Sequence, residues 1–367
     1  MSVMPVVRFA ALAALTGLTA TLACAQISIP TVLVGNAGNP ADPATGFGAV
    51  PYLYRITTTE ITCGQYVAFL NAKARSDPNG LFNTEMAGQF GNIIRRGSPG
   101  SYTYEVDFNR DDTPINHITF WSACRFANWM HNGQGNGDTE TGVYTLTPAR
   151  IAANTVTRNA GWRWAVVSEN EWYKAAYYQP AAQGGDVDGY WRYPTSSNAL
   201  PSMSQANFGR GAFDPCVDPF PLAPARSYAP NFYGAFDLGG NLSEWNETAV
   251  GADTRCHRGG SFIRSGDSLR ADQREGISPN IDSYAHGFRL AQAVLPPTCP
   301  ADIVSIGGSP SPDGLVTGDD FNAFIAAFAA ADGLADIVSI GGTPPSDGLI
   351  TGDDFNAFIG SFAAGCP

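Results

Sequence analysis

The stretch "YGAFDLGGNLSEWNE", Tyr233 to Glu247, decides how the fold of this chain is read. It sets two carboxylates, Asp237 and Glu244, on either side of a Gly-Gly pair, and like most of the chain around it lacks a sustained helical or strand period. The 367 residues include 41 Gly and 26 Pro, and only 15% are charged, against roughly 25% in an average soluble domain. Such a chain makes many turns and few long helices. Its length allows one large domain with a substantial buried core, plus an appendage.

The first 25 residues read as an export signal: Arg8, an apolar run from Phe9 to Leu22, and Ala23-Cys24-Ala25 as an A-x-A cleavage site. The mature chain then begins near Gln26. A lipid anchor on Cys24 is the alternative, with Thr21 where such a signal usually has Leu. No later apolar stretch is long enough to cross a bilayer. The expected location is therefore secreted, periplasmic or at the cell surface, where disulfides are allowed among the six remaining cysteines. The expected pair is Cys299 with Cys366, which bracket a repeat module, while Cys63 and Cys124 fall in predicted helices and read also as buried thiols. Nine of the twelve net negative charges lie between Cys299 and Pro367, a tail with nine Asp and no Glu, Lys or Arg. Nucleic acid is excluded as a partner, since phosphate binding needs clustered basic residues; a hard cation suits the tail.

That tail is a tandem repeat. "ADIVSIGGSPSPDGLVTGDDFNAFIAAFAA" at 301–330 returns as "ADIVSIGGTPPSDGLITGDDFNAFIGSFAA" at 335–364, so each copy is one structural unit. Phe321, Phe324, Ile325 and Phe328 form the apolar stripe of a helix, and Phe355, Phe358, Ile359 and Phe362 repeat it. Asp313-Gly314, Val316 and Asp320, like Asp347-Gly348, Ile350 and Asp354, have the spacing of the second half of an EF-hand loop, whose oxygens wrap calcium at about 2.3–2.6 Å. On these residues the tail resembles dockerin-like modules, which implies bound calcium and a protein or cell-surface partner. Asp302 and Asp336 supply the first ligand only if the Ile-Val-Ser-Ile-Gly-Gly stretch bulges out as an insertion. The alternative is that Asp319, Asp320, Asp353 and Asp354 favour helix N-termini, with Thr317 and Thr351 as caps.

In the main part, Thr62 to Gln65 is a capping box opening one helix, "HITFWSACRFANWM" from 117 gives a second, and Ser168 to Glu171 caps a third after a short strand. Together "YRITTTEITCGQYVAFLN", "PINHITFWSACRFANWM", "WRWAVVSENEWYKAAYY", the opening stretch, "RGGSF" and "GFRLA" appear in an order that resembles the formylglycine-generating enzyme (sulfatase-modifying factor) family, over about Val32 to Val294. The resemblance implies an α+β fold: a compact, loop-rich, C-type-lectin-like domain with bound calcium. The expected organisation is a signal at 1–25, this domain at 26–296 and the helical EF-hand-like repeat at 297–367. One implied calcium site takes side chains of Asp237 and Glu244 and carbonyls of Gly240 and Leu242; a second takes Asn207, the Phe208 carbonyl, Asp218 and the Phe220 carbonyl. The alternative for Asp237 and Glu244 is a turn carboxylate and an arginine partner.

The family's chemistry, oxidation of a sulfatase cysteine to formylglycine, uses Cu(I) between two cysteines shortly after "GGS". Arg264 and Leu269 stand at those positions. Cu(I) needs soft thiolates, so copper is disfavoured and no catalytic residue is assigned. The four histidines show no metal-ligand spacing. Recognition is the expected replacement: Arg264 and Arg270, with Asp267 and Trp245, lie on the segment lining the family's cleft, and Arg and Trp favour binding sites for an extracellular protein or glycan. Arg258 and Arg289 read as structural, bonding buried carboxylates or carbonyls. An active oxidase and a structural component of an extracellular assembly are the competing functions.

Overall fold

The computed structural model describes residues 26–88, 90–209, 221–294, 301–304, 316–338 and 348–364. Four helices start in the main part on capping side chains. α1 (Cys63–Lys73) opens on the reciprocal box of Thr62 with Gln65, and α4 (Glu169–Tyr177) on that of Ser168 with Glu171. α2 (Phe120–His131) is capped by Thr119, and the short α3 (Pro148–Ala152) by Thr147 with a proline in its first turn. Each cap satisfies an N–H that the helix cannot pair internally.

The described residues hold ten strands: β1 (Thr31–Val34), β2 (Tyr54–Thr57), β3 (Ile93–Arg96), β4 (Thr103–Val106), β5 (Trp164–Val166), β6 (Ser243–Ala249), β7 (Arg255–Arg258), β8 (Glu275–Ile277), β9 (His286–Phe288) and β10 (Leu290–Ala293). They form one four-stranded sheet in the order β1-β2-β10-β5, a second in the order β8-β7-β6-β9, and the β3-β4 hairpin. Within both four-stranded sheets every pairing is antiparallel except β6 with β9. Only Arg289 separates β9 from β10, so this one residue marks the place where the chain leaves one sheet and enters the other. α1 and α2 bury an aromatic cluster of Tyr66, Phe69, Phe126 and Trp129 that reaches Phe288, while α4 packs Trp172, Tyr173 and Tyr177 beneath β2 and β10.

The tail forms two helices, α5 (Gly318–Ala330) and α6 (Gly352–Ala364), one per repeat. The rings of Phe324 and Phe358, equivalent residues of the two copies, stack with centroids 3.9 Å apart and planes 3° from parallel. The flanking contacts are reciprocal: Phe321 with Phe362 and Phe328 with Phe355, each at 5.4 Å.

One acid at the start of each of these helices accepts four hydrogen bonds. Asp320 accepts the N–H groups of Ile303 and Val304 on Oδ1, and the Thr317 N–H and hydroxyl on Oδ2. Asp354 repeats this with Ile337, Val338 and Thr351. Against the effect of burial, these donors hold both carboxyls below the usual carboxylate range. Both side chains thus cap the helix start and tie the opening residues of each repeat to its own helix. Asp302 is buried, and Asp336 accepts the Gly348 N–H at 2.7 Å. Asp313, Asp347 and the Cys299–Cys366 pairing lie outside the described residues.

Candidate functional site

The opening stretch forms a turn that no ordinary residue run adopts. Asp237, Gly240 and Asn241 all have positive φ, at 57°, 82° and 60°. A Cβ on Gly240 would come within 2.2 Å of the Asn207 carbonyl oxygen, so glycine is required there on both counts. Asn207 and Gly240 form a bridge, the Asn241 N–H donates to the Asn207 carbonyl at 2.7 Å, and Asn207 Nδ2 donates to the Pro221 carbonyl at 2.8 Å. Asn207, assigned to the second implied site, is thus bonded directly to the turn assigned to the first. Phe208 is buried in a small apolar cluster; Asp218 and Phe220 lie outside the described residues.

The turn delivers Glu244, on β6, into the core at 1% exposure. There it takes the arginine-partner role: Arg289 donates from Nε to Oε2 at 2.6 Å and from Nη2 to Oε1 at 2.7 Å, and Trp172 Nε1 donates to Oε2 at 2.8 Å. Arg289 also donates to the carbonyls of Thr57 and Phe236, both at 3.1 Å. A third acid, Glu60, joins them, accepting the Leu242 N–H and Asn241 Nδ2. Burial, with Glu244 and Asp237 nearby, pushes the Glu60 carboxyl well up. Glu60 escaped the sequence reading because a single acid just ahead of a capping box carries no motif of its own.

Asp237 completes the group. Its Oδ2 accepts the Arg226 N–H at 2.9 Å, while its buried Oδ1 has no partner. Burial raises its carboxyl to about 6, the Arg226 N–H opposing. Three buried carboxyl groups, of which burial favours the protonated form of Glu60, therefore surround one guanidinium, and one Asp237 oxygen is orphaned. A buried polar atom without a partner calls for a ligand such as water or an ion, and a cation would favour the charged form of the Asp237 carboxyl that burial disfavours. Among the described residues no three His, Cys, Asp or Glu side chains converge as metal ligands, so a cation here would rely on Asp237 together with backbone carbonyls, a donor set that suits calcium. The implied carbonyls of Gly240 and Leu242 belong to this same turn.

The late segment is less open than the sequence reading expects. Trp245 is fully buried, its Nε1 bonded to the Ile118 carbonyl at 2.8 Å, and so belongs to the core rather than to a cleft wall. Leu269 is also fully buried, packed with Tyr193, Ala206 and Phe208. Arg264 is half-exposed and paired with Glu275 at 3.2 Å; Arg270 pairs with Asp272, and Asp267 is exposed. The structural reading of two other arginines is matched by their contacts: besides Arg289, Arg258 sends Nε and Nη2 to Glu169 and Nη1 to the carbonyls of Ala271 and Gln273. Two histidines that carry no sequence motif come together here, with His257 and His286 rings 4.3 Å apart and the Trp245 ring 3.8 Å from His257.

The described cysteines are Cys63, Cys124 and Cys256, all buried free thiols. Burial pushes Cys63 and Cys256 up to about 12 and Cys124 well above its usual value. As free groups they are therefore protonated at neutral pH, and none stands at either of the two positions that the resemblance assigns to copper ligands.

Residues 32–294 match the family model described as sulfatase-modifying factor enzyme 1-like domain. Inactive C-alpha-formylglycine-generating enzyme 2 of Mus musculus is 30% identical over 191 residues, 48% of this chain and 58% of the mouse protein. The protein of the same name from Bos taurus is 28% identical over 198 residues, 50% of this chain and 62% of its own. The chain thus spans less than two thirds of either relative. The crystal structure of CarF superposes with a TM-score of 0.53 at 20% identity, covering 73% of this chain and 99% of that one, a likeness of fold. No described helix is long and apolar enough to cross a membrane.

Proposed function

This chain belongs to the sulfatase-modifying factor enzyme 1-like family, and from that premise we propose that it is a calcium-stabilised binding module from which the family's oxidation chemistry is absent. One observation carries the reading: the two positions that the resemblance assigns to copper-binding thiols hold a half-exposed Arg264, paired with Glu275, and a Leu269 sealed in an apolar cluster. Neither side chain binds monovalent copper. That the mouse and bovine relatives bear the word inactive in their names supports it. Calcium has the orphaned Asp237 oxygen and the carboxyl groups around it in its favour. We further read the protein as exported by its N-terminal segment, bound to an extracellular protein or glycan through the main domain, and attached to a protein or cell-surface partner through its acidic repeat.

The test is to incubate the purified protein with copper and a Cys-x-Pro-x-Arg peptide, and to follow the cysteine by mass spectrometry. Unmodified peptide is expected; conversion of cysteine to aldehyde would establish the oxidase reading in its place. A calcium-dependent rise in the thermal midpoint, absent in Asp237→Asn, tests the cation.

A further inference from the structure

β6 and β7 lose their one-to-one register between Trp245 and Ala249: a step of four residues along β6 answers a step of two along β7, from His257 to Arg255. The surplus bulges from the ladder. With the chain at 154–158 it walls a cavity of about 230 Å³, bounded by Asn154, Thr157, Arg158, Glu247, Thr248 and Arg255. Neither the calcium turn, the missing thiols nor the late segment gives these residues a role.

A count of donors and acceptors shows what the walls still offer. Arg255, 3% exposed, donates from Nε to Asn154 Oδ1 at 2.6 Å, from Nη1 to the Glu247 carbonyl, and from Nη2 to the carbonyls of Asn154 and Val156 at 3.0 and 2.9 Å. Arg158 likewise makes four bonds, to Glu171, Glu247 and the Val166 carbonyl. A guanidinium has five N–H donors, so each keeps one. Glu247 accepts Tyr144 at 2.6 Å and Arg158 at 3.0 Å, both on Oε2, which leaves Oε1 open to a donor. Thr248 Oγ1 accepts the Glu169 N–H at 3.0 Å and keeps its own hydrogen; the Thr157 side chain is exposed, and its hydroxyl has no partner among the described residues. The charges balance, with Arg158 and Arg255 against Glu171 and Glu247, so the cavity favours neither an anion nor a metal cation. Its apolar wall is only Val156 and Ala249, which gives no pocket for the aromatic or aliphatic anchor that holds a peptide.

We propose that this cavity binds a neutral sugar through a pair of adjacent hydroxyl groups, with Arg158 and Arg255 donating to them and Glu247 accepting from them. The inference rests on the binding-module reading and names the chemical class of its ligand. A hydroxyl both gives and takes a hydrogen bond, so two side by side answer the open N–H groups and the open carboxylate oxygen together. Contacts to charged partners are the stronger kind, and the two threonine hydroxyls extend the same pattern to the rest of a ring. No metal takes part in these contacts.

The full chain is titrated with the methyl glycosides of glucose, galactose, mannose and N-acetylglucosamine, with glucuronate, and with an N-acetyl dipeptide amide, each in calcium and again in EDTA, and binding is followed by saturation-transfer NMR of the ligand. Saturable binding of at least one neutral glycoside is expected, unchanged by EDTA. Ala249→Tyr, at an exposed position on the cavity wall, should weaken it by about tenfold or more, and Thr157→Val, which removes one exposed hydroxyl, by about fivefold. Both positions lie outside the core, so the test does not depend on variants of the buried Arg255 or Glu247. The proposal is overturned by no saturable binding of any neutral glycoside, by binding of glucuronate or the dipeptide amide alone, by loss of binding in EDTA, or by both variants binding as the parent does. Absence of sugar binding together with absence of cysteine conversion would remove this site and leave the binding-module reading standing.

Discussion

Replacing Arg289 by methionine removes the single cation among Glu60, Asp237 and Glu244 while keeping much of the side-chain volume. In the protein Arg289 makes two bonds to Glu244 and one each to the carbonyls of Thr57 and Phe236, at no exposure to solvent. Breaking a buried ion pair from one side costs about 3–5 kcal/mol, because the remaining charge stays buried. Two carbonyls losing a donor add about 1 kcal/mol each. The sum, roughly 5–7 kcal/mol, compares with a total stability of about 5–15 kcal/mol for a typical protein. Arg289→Met should therefore leave the main domain at or below the threshold of folding, and Arg289→Lys, which keeps the charge but not the fork, should fall between it and the parent. Urea unfolding followed by tryptophan fluorescence measures both. Adding Glu244→Gln to Arg289→Met neutralises the stranded carboxylate and should recover about 1–3 kcal/mol. Arg289→Met within about 1 kcal/mol of the parent, or no recovery in the double variant, would refute the view that this ion pair is a mainstay of the fold.

Other perturbations test the remaining parts. His286 is held at about 4 against its usual 6.5, by burial first and then by Arg264 and His117; the folded state declines a proton that the unfolded chain takes up, so stability should fall as pH drops from 6.5 toward about 4, by roughly 3 kcal/mol. His286→Leu should flatten that acid limb relative to the parent, and an unchanged profile counts against it. Asp237→Asn should abolish the calcium-dependent stabilisation seen by differential scanning calorimetry in the parent; retention of the full calcium effect would place the cation elsewhere. Cys63, Cys124 and Cys256 should resist iodoacetamide at neutral pH in the native protein and label after denaturation, as peptide mapping would show. In the tail, Asp320→Ala strips four hydrogen bonds from one helix start and should cost about 2–3 kcal/mol of the module's stability, read by the loss of helical circular dichroism on heating; Asp320→Asn, which keeps one of the two acceptor oxygens, should lose less.

The helices could be read in advance wherever a local rule settles the outcome. Thr62 with Gln65 and Ser168 with Glu171 satisfy each other within four residues, so no distant contact is needed to predict them. The ordered motifs carried the fold class for the same stretch that matches the family model. Burial was the harder matter. Trp245 reads as a binding residue along the segment, yet it is a core residue, because which face a short strand presents is decided by partners far away in sequence. Glu244 and Asp320 show a related limit: a carboxylate at a favourable spacing is equally ready to meet calcium, a guanidinium or a row of backbone N–H groups, and only the fold determines which of these arrives. Glu60 and the His257–His286 pair lacked any local signature, since their meaning arises from neighbours on other strands.

The face-to-face rings of Phe324 and Phe358 are the same residue of two copies meeting across a local two-fold relation. Contacts of this kind are self-complementary. A chain carrying one repeat would expose an aromatic face whose natural complement is another molecule like itself, so a single copy should behave as a dimerisation handle. Duplication within one polypeptide converts that concentration-dependent handshake into an internal one, and frees the tail from depending on how many neighbours are present.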